Sequence, residues 1–290
     1  MTRMPPLLRE FFLGGHSLAV GTASIAASSA ILLGERPTLP LLAMAYLFSY
    51  GAYTVNRSSE MEQDMATNPQ RTQHLMGRKK YLPLIASCCF VAGYALALTV
   101  NLLFFAALLL PLLLTFAYSV GSKKLVRYMG SSRLKDKLLV KNVVISFAWS
   151  LIPALVGLYY LRLGAVVLPM SAFIFLRLMA NTIFFDLRDA GGDAEHGVRT
   201  IPVVYGTERS LRAMALVDLS SAVCLTASVA VGLMPAYSLV MLLFPLYSAA
   251  YRAAARKGNM DFLADVVADS EYTLWGPVVY AGGLLLSWVV

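Results

Sequence analysis

The residues best suited to chemistry are polar side chains that repeat every three or four positions after two apolar segments. The two groups are Asn56, Glu60 and Asp64 in the first, and Asp186, Asp189 and Asp193 in the second. On a helix, these spacings keep the side chains of each group on one face. Like charges one turn apart repel, so such a face favours a cation between the carboxylates. Oxygen ligands in a row suit Mg²⁺, which completes its shell with water and substrate phosphate. The spacing therefore predicts Mg²⁺ sites that could grip a diphosphate.

The two acidic groups also repeat at a fixed distance along the chain. Glu60 and Asp189 are 129 positions apart, and so are Asp64 and Asp193. One such group alone is better explained as a solvated acidic surface. Two groups at the same offset indicate an internal duplication that brings both to one face of the molecule.

A third acidic series, Asp261, Asp265 and Asp269, repeats every four residues before the last apolar segment. Apolar residues, such as Phe262 and Val266, lie between these aspartates. This pattern is typical of an amphipathic helix. We therefore expect the series to form an interfacial helix with a solvated acidic face.

The elements that must position the two groups are long apolar segments. Of the 290 residues, 58% are hydrophobic and only 14% charged, against about 25% charged in soluble domains. Nine apolar segments are predicted, at about 11–34, 38–56, 81–100, 102–120, 138–161, 163–185, 210–233, 236–251 and 272–290. Segments that cross lipid must satisfy their own backbone groups, so they form helices. The prediction is a single polytopic all-α membrane domain, residues 1–290, with about nine transmembrane helices in two pseudo-repeated halves. Loops at about 57–80 and 186–209 form an Asp-rich cap.

The Lys and Arg residues predict the orientation in a cell membrane. Nineteen of them lie in the N-terminal segment and the four long loops, whereas only Arg36 and Arg162 lie in loops on the opposite side. This asymmetry places the N-terminus and the cap in the cytoplasm and the C-terminus outside. The net charge of +8 is thus a topology signal, and a nucleic-acid partner is excluded. The three cysteines form no disulfide or metal framework.

These motifs resemble those of the UbiA superfamily of intramembrane prenyltransferases. The first group is similar to the family's N-x-x-x-D-x-x-x-D motif, with Glu60 in the middle position. The stretch from Asp186 to Gly206 resembles D-x-R-D-x-x-G-D-x-x-x-G-x-R-T-x-P-V-x-x-G almost throughout. Tyr118 and Lys123 are similar to a Tyr-then-Lys element, at a wider spacing than usual.

The resemblance implies Mg²⁺-dependent transfer of a polyprenyl group from its diphosphate to an aromatic or lipid-like hydrophobic acceptor within the membrane. It implies metal ligation by Asn56, Glu60, Asp64, Asp186, Asp189 and Asp193. It implies diphosphate contacts from Asn56, Arg71, Lys123 and Arg199. The catalytic residues would be Asp64, Asp189, Asp193 and Tyr118, with Tyr118 beside the reacting carbon. The acceptor, the prenyl chain length and the oligomeric state stay open.

Several alternatives remain at this point. A non-catalytic prenyl-lipid binder fits the same motifs, and a secondary transporter is the main alternative of another class. The four-helix offset of the halves gives parallel topology, and the acids cluster at one face, which disfavours the transporter. Arg177, in the middle of a span, could reach the diphosphate or pair with an acid, and Lys141 could line the cavity or extend to the interface.

Overall fold

The computed structural model describes residues 4–119 and 138–287, apart from the side chains of Glu60, Glu62, Gln63 and residues 116–119 and 286–287. The first half contains α1 (Pro6–Leu13), α2 (His16–Leu32), α3 (Leu39–Thr67), α4 (Pro69–Met76), a 3₁₀ turn (Lys79–Tyr81), α5 (Leu82–Leu98), α6 (Leu102–Ala107) and α7 (Leu109–Ser119). Next come α8 (Val140–Ser150), α9 (Ile152–Tyr159), α10 (Val167–Glu195), α11 (Ile201–Tyr205) and α12 (Thr207–Ala230). The chain ends with a 3₁₀ turn (Ala236–Leu242), α13 (Leu243–Ala254), α14 (Met260–Phe262), a π-helical turn (Leu263–Ala268), α15 (Asp269–Thr273) and α16 (Trp275–Ser287).

The described part of the chain is helical and contains no strand, as predicted. Within the described residues, four helical segments are long and apolar enough to cross a membrane: 79–98, 140–159, 167–195 and 207–230. A fifth crossing is formed if α1 and α2, which meet at an angle of 67°, count as one span. As far as the structure describes them, the nine predicted apolar segments overlap with helices, but the number of spans stays a prediction.

The two longest helices, α3 and α10, carry the two acidic groups. Both helices continue well beyond the ends of their predicted apolar segments. The acidic groups therefore lie on helices and not in loops. Helix α3 ends at Asn68, whose side chain accepts a 3.2 Å hydrogen bond from the Arg71 backbone and begins α4, with Pro69 in its first turn. This cap turns the chain so that Arg71 lies close to the end of α3.

Helix packing brings the acidic ends of α3 and α10 together. These two helices contact each other, while α8 and α12 pack along α10, and α2 and α5 pack along α3. Trp275, Phe173, Phe244 and Tyr272 form an aromatic centre of the largest hydrophobic cluster. A sharp bend at Gly15, whose φ of 87° lies in the left-handed region, separates α1 from α2 and brings α1 against α4.

Candidate functional site

A cavity of about 300 Å³ lies where the ends of α3 and α10 meet. Its polar lining comprises Tyr53, Asn56, Arg57, Asp64, Thr67, Arg71, Thr115, Lys141, Asn181, Thr182, Arg188, Asp189, Asp193 and Asp269. The structure therefore brings together five of the residues expected at the site: Asn56, Asp64, Arg71, Asp189 and Asp193. They come from both predicted motifs and enclose one polar volume that can accept a charged group.

Two carboxylates of the cavity are paired with arginines from their own helices. The Arg57 Nη1 atom donates a 2.6 Å hydrogen bond to Asp64 Oδ2. Arg188 binds Asp189 with two hydrogen bonds, from Nε at 2.6 Å and from Nη2 at 2.9 Å. Each motif thus supplies both an oxygen ligand and a guanidinium group, so the cavity wall can bind a cation and an anion side by side.

Asp186 faces away from this cavity. Its side chain is completely buried and accepts hydrogen bonds from Lys141 Nζ at 2.7 Å and from Asn142 Nδ2 at 2.8 Å. Lys141 itself lines the cavity, so of its two expected positions the structure shows the one at the cavity. Asp186 contacts the site in this structure through Lys141, and its role as a metal ligand stays a prediction.

The third acidic series corrects the expectation of a solvated face. Asp265 is completely buried and Asp269 is 4% exposed. Asp265 binds Asn68, Arg71 and Arg188, and Asp269 accepts a 2.9 Å hydrogen bond from Arg71. Burial is tolerated because guanidinium and amide donors replace the water around the two carboxylates.

The two buried aspartates are shifted in opposite directions. Burial raises the pKa of Asp265, but the charges of Arg71 and Arg188 lower it by more, so the net pKa lies below its ordinary value. For Asp269, burial outweighs the opposing effect of Arg71 and raises the pKa above its ordinary value. Of the two aspartates, Asp265 is therefore the one whose charged form is favoured beside the arginines.

Arg177 pairs with acids and does not line the cavity. Its guanidinium is fully buried and donates to both oxygens of Glu271, at 2.8 to 3.0 Å, and to Asp218. Ser248 and Arg252 also donate to Asp218. Of the two possibilities left open for this mid-span arginine, the structure shows the ion pair.

A second, apolar cavity of about 190 Å³ adjoins the polar one. Six residues line both cavities: Leu18, Ala52, Tyr53, Thr115, Ala148 and Trp149. Beyond them the walls include Met44, Phe48, Phe90, Phe104 and Leu112. The combined space offers a charged end and an apolar end, which is the shape required by a lipid diphosphate.

Besides Asp186, four expected site residues lie elsewhere or outside the described part. The side chains of Glu60 and Tyr118, and Lys123 as a whole, lie outside the described residues. Arg199 is exposed and does not line the cavity, although its neighbour Val198 does. Conversely, the sequence interpretation missed the contributions of Arg57, Asn68, Arg188, Asp265 and Asp269; the four-residue aspartate repeat was the only signal for the last two.

The donor set suits a hard divalent cation. Asn56, Asp64, Asp189 and Asp193 supply amide and carboxylate oxygens from two helices to one cavity, and Mg²⁺ needs only one or two protein carboxylates besides water and phosphate. Among the described side chains, no three His, Cys, Asp or Glu residues already form a metal-binding group. The residues therefore fit Mg²⁺ bound together with a phosphate ligand better than a cation held by protein alone.

Comparisons with known proteins agree with this architecture. The model of the UbiA prenyltransferase family matches residues 17–264. A digeranylgeranylglyceryl phosphate synthase from Methanoculleus marisnigri is 25% identical over 212 residues, which cover 69% of this chain and 65% of that protein. The chain thus matches just under two thirds of the length of this relative.

Solved structures share the fold at low sequence identity. A UbiA homologue from Aeropyrum pernix K1 superposes with a TM-score of 0.67 at 14% identity, covering 93% of this chain and 98% of the homologue. A UbiA homologue from Archaeoglobus fulgidus bound to GPP and Mg²⁺ gives a TM-score of 0.66 at 14% identity, covering 94% and 99%. At this identity, the likeness establishes the helical fold.

Proposed function

The chain belongs to the UbiA prenyltransferase family, and on that premise we propose that it transfers a polyprenyl group from a polyprenyl diphosphate to an aromatic or lipid-like acceptor in the membrane, with Mg²⁺. The observation that carries this proposal is the junction of the charged cavity with the apolar cavity. A prenyl diphosphate has the same two parts, a trianionic head and a hydrocarbon tail. The Mg²⁺-bound homologue from Archaeoglobus fulgidus supports the proposal.

The diphosphate would occupy the charged cavity. Asn56, Asp64, Asp189 and Asp193 would hold Mg²⁺, with Glu60 as a further predicted ligand, whereas Asp186 would act on the site through Lys141; when bound, the ion stabilises negative charge on the leaving diphosphate. Arg71 and Lys141 present cations to the same volume. Lys123 and Arg199 remain predicted contacts of the diphosphate.

The reaction breaks the allylic C–O bond, and its electron pair stays on the diphosphate. The cavity cations lower the barrier because negative charge grows on the head group as this bond breaks. The allylic cation then forms a bond to a carbon or hydroxyl oxygen of the acceptor, which loses a proton. Apolar walls such as Trp149 and Ala148 exclude water from the cation, and Tyr118 is predicted to lie beside the reacting carbon.

The membrane placement follows from the same assignment. Several apolar helices make the chain a multi-pass membrane protein. We propose that the charged cavity opens towards the cytoplasm, because the Lys and Arg asymmetry places the long loops there. The nine-span count, the two pseudo-repeated halves and the single-domain organisation belong to this proposal.

The test uses the full-length protein in lipid nanodiscs with radiolabelled geranylgeranyl diphosphate, Mg²⁺ and a panel of quinone-precursor and lipid acceptors. We expect transfer that stops on chelation of Mg²⁺ and is lost in Asp64→Ala and Asp189→Ala. Glu208→Gln is the control, because Glu208 forms a surface pair with Arg256. Binding without transfer to any acceptor would support a prenyl-lipid binder, and ion flux without diphosphate binding would support a transporter.

A further inference from the structure

We propose that Asp265 and Asp269 are positioning residues of the diphosphate site, which hold the guanidinium groups of Arg71 and Arg188 in place at the cavity. This inference rests on the proposed function. Neither aspartate belongs to the two motifs of the site. Asp265 lies in the π-helical turn, and Asp269 is the first residue of α15 and lines the cavity.

Asp265 connects the two motif regions. Its carboxylate accepts hydrogen bonds from Asn68 at 3.0 and 3.2 Å and from Arg188 at 2.5 Å, and it lies 3.3 Å from Arg71. Asn68 and Arg71 follow the first motif, whereas Arg188 lies within the second. One completely buried carboxylate therefore fixes donors that belong to both halves of the site.

Asp269 completes the shell around Arg71. The Arg71 Nη2 atom donates to Asp269 at 2.9 Å and to the Phe12 carbonyl oxygen at 3.2 Å. Ser17 donates to the same oxygen of Asp269, Oδ2, at 3.4 Å. With Asp265, Arg71 thus has partners from α1, the π-helical turn and α15, and its side chain is only 7% exposed. Arginine has many rotamers in solution, so these contacts restrict it before any ligand binds.

The positioning role and a plain charge effect predict opposite signs. A negative charge near the diphosphate repels it, so neutralising Asp265 or Asp269 would strengthen binding if charge alone mattered. If the aspartates position the arginines, their neutralisation releases Arg71 and Arg188 and weakens binding. The direction of the change therefore separates the two explanations.

The first experiment measures the equilibrium binding of geranylgeranyl diphosphate to the full-length protein in nanodiscs, with Mg²⁺ and without acceptor. We expect Asp265→Asn and Asp269→Asn each to weaken binding by about tenfold or more, the effect of losing one charge-assisted hydrogen bond. Glu271→Gln is the matched control. Glu271 is an equally buried carboxylate close by in sequence, but its partner Arg177 does not line the cavity.

A second experiment asks whether Asp269 acts through Arg71. In an Arg71→Ala background, adding Asp269→Asn should change the dissociation constant by less than about twofold, because the residue it positions is absent. Asp269 has fewer partners than Asp265, so we expect Asp269→Asn to disturb folding less. This double-variant comparison therefore still tests the proposal if Asp265→Asn fails to fold. Thermal unfolding of each variant separates loss of stability from loss of binding.

Unchanged or tighter binding in both aspartate variants would overturn the inference, and so would an undiminished Asp269→Asn effect in the Arg71→Ala background. A wild-type protein that binds no geranylgeranyl diphosphate would instead overturn the proposed function. Equal losses in Glu271→Gln and the two aspartate variants would assign all three carboxylates a structural role only.

Discussion

The ammonium group of Lys141 donates a 2.7 Å hydrogen bond to Asp186, whose side chain is completely buried. The contact joins α8 to the motif-bearing end of α10. Lys141 also lines the charged cavity. The same ammonium group therefore neutralises a buried carboxylate and presents a positive charge to a diphosphate.

Replacing Lys141 with Met should lower both stability and diphosphate affinity. Asp186 would keep only the hydrogen bond from Asn142, and an uncompensated buried charge costs about 3–5 kcal/mol. The double variant Lys141→Met/Asp186→Asn should recover much of the unfolding free energy, because the amide removes the charge and still accepts from Asn142. It should not recover geranylgeranyl diphosphate binding. Thermal unfolding and equilibrium binding measure the two effects, and a single variant as stable as the wild type would contradict the prediction.

Asp186→Asn should leave the Mg²⁺ dependence of diphosphate binding unchanged. In this structure Asp186 is directed towards Lys141 and Asn142, and it does not line the cavity. Asp189→Asn provides the comparison, because Asp189 lines the cavity and its loss should raise the Mg²⁺ midpoint by about tenfold or more. A Mg²⁺ titration of binding decides the matter. An equal shift in both variants would establish Asp186 as the metal ligand that the motif resemblance implies.

Arg177→Met should destabilise the protein without weakening diphosphate binding. The substitution leaves Glu271 without its arginine and Asp218 with Arg252 and Ser248 only, and breaking a buried pair of this kind costs about 3–5 kcal/mol. Arg162→Met is the control, because the Arg162–Glu35 pair is exposed and such pairs contribute about 0–1 kcal/mol. Lost binding in a folded Arg177→Met protein would show that this arginine reaches the head group after all.

The helical periodicity of the sequence predicted which acidic residues share the charged cavity, although their roles stay a prediction. Asp64, Asp189 and Asp193 line one cavity because a spacing of about one turn is a local property that folding preserves. The apolar segments likewise coincide with helices, since a run that must satisfy its own backbone groups has few other options. Helix ends were harder to predict: the apolar segment was expected to end near residue 56, but α3 continues to Thr67, and Asn68 then begins α4.

The aspartates at 265 and 269 show what periodicity cannot predict. An acidic face can meet water or a buried guanidinium, and the pattern of the segment is the same in both cases. The partners of Asp265 and Asp269 include Asn68 and Arg71, which are 197 and 198 positions away. Such pairs depend on how the helices pack, which a single sequence does not reveal.

Cysteine labelling should confirm the orientation predicted from the Lys and Arg asymmetry. In a variant without Cys88, Cys89 and Cys224, we expect Arg162→Cys to react with a membrane-impermeant maleimide in intact cells. Lys257→Cys should react only after permeabilisation, because basic loops stay in the cytoplasm. Both side chains are exposed in the structure, so a difference in labelling reports the side of the membrane and not burial within the protein. Labelling with the opposite sidedness would invert the proposed topology.

Enlarging Ala148 should separate head-group binding from tail binding, because Ala148 lines both the charged and the apolar cavity. Each buried methylene contributes about 0.8 kcal/mol, so excluding even part of one prenyl unit should weaken geranylgeranyl diphosphate binding by about tenfold or more. In Ala148→Phe, inorganic diphosphate with Mg²⁺ should bind as in the wild type, since its partners lie at the ends of α3 and α10. Val143→Phe adds the same ring to the outer face of α8, where Val143 is 42% exposed, and should change neither constant. Equal weakening of both ligands in Ala148→Phe would mean that the ring disturbs the head-group site, and unchanged binding of both would place the prenyl tail outside the apolar cavity.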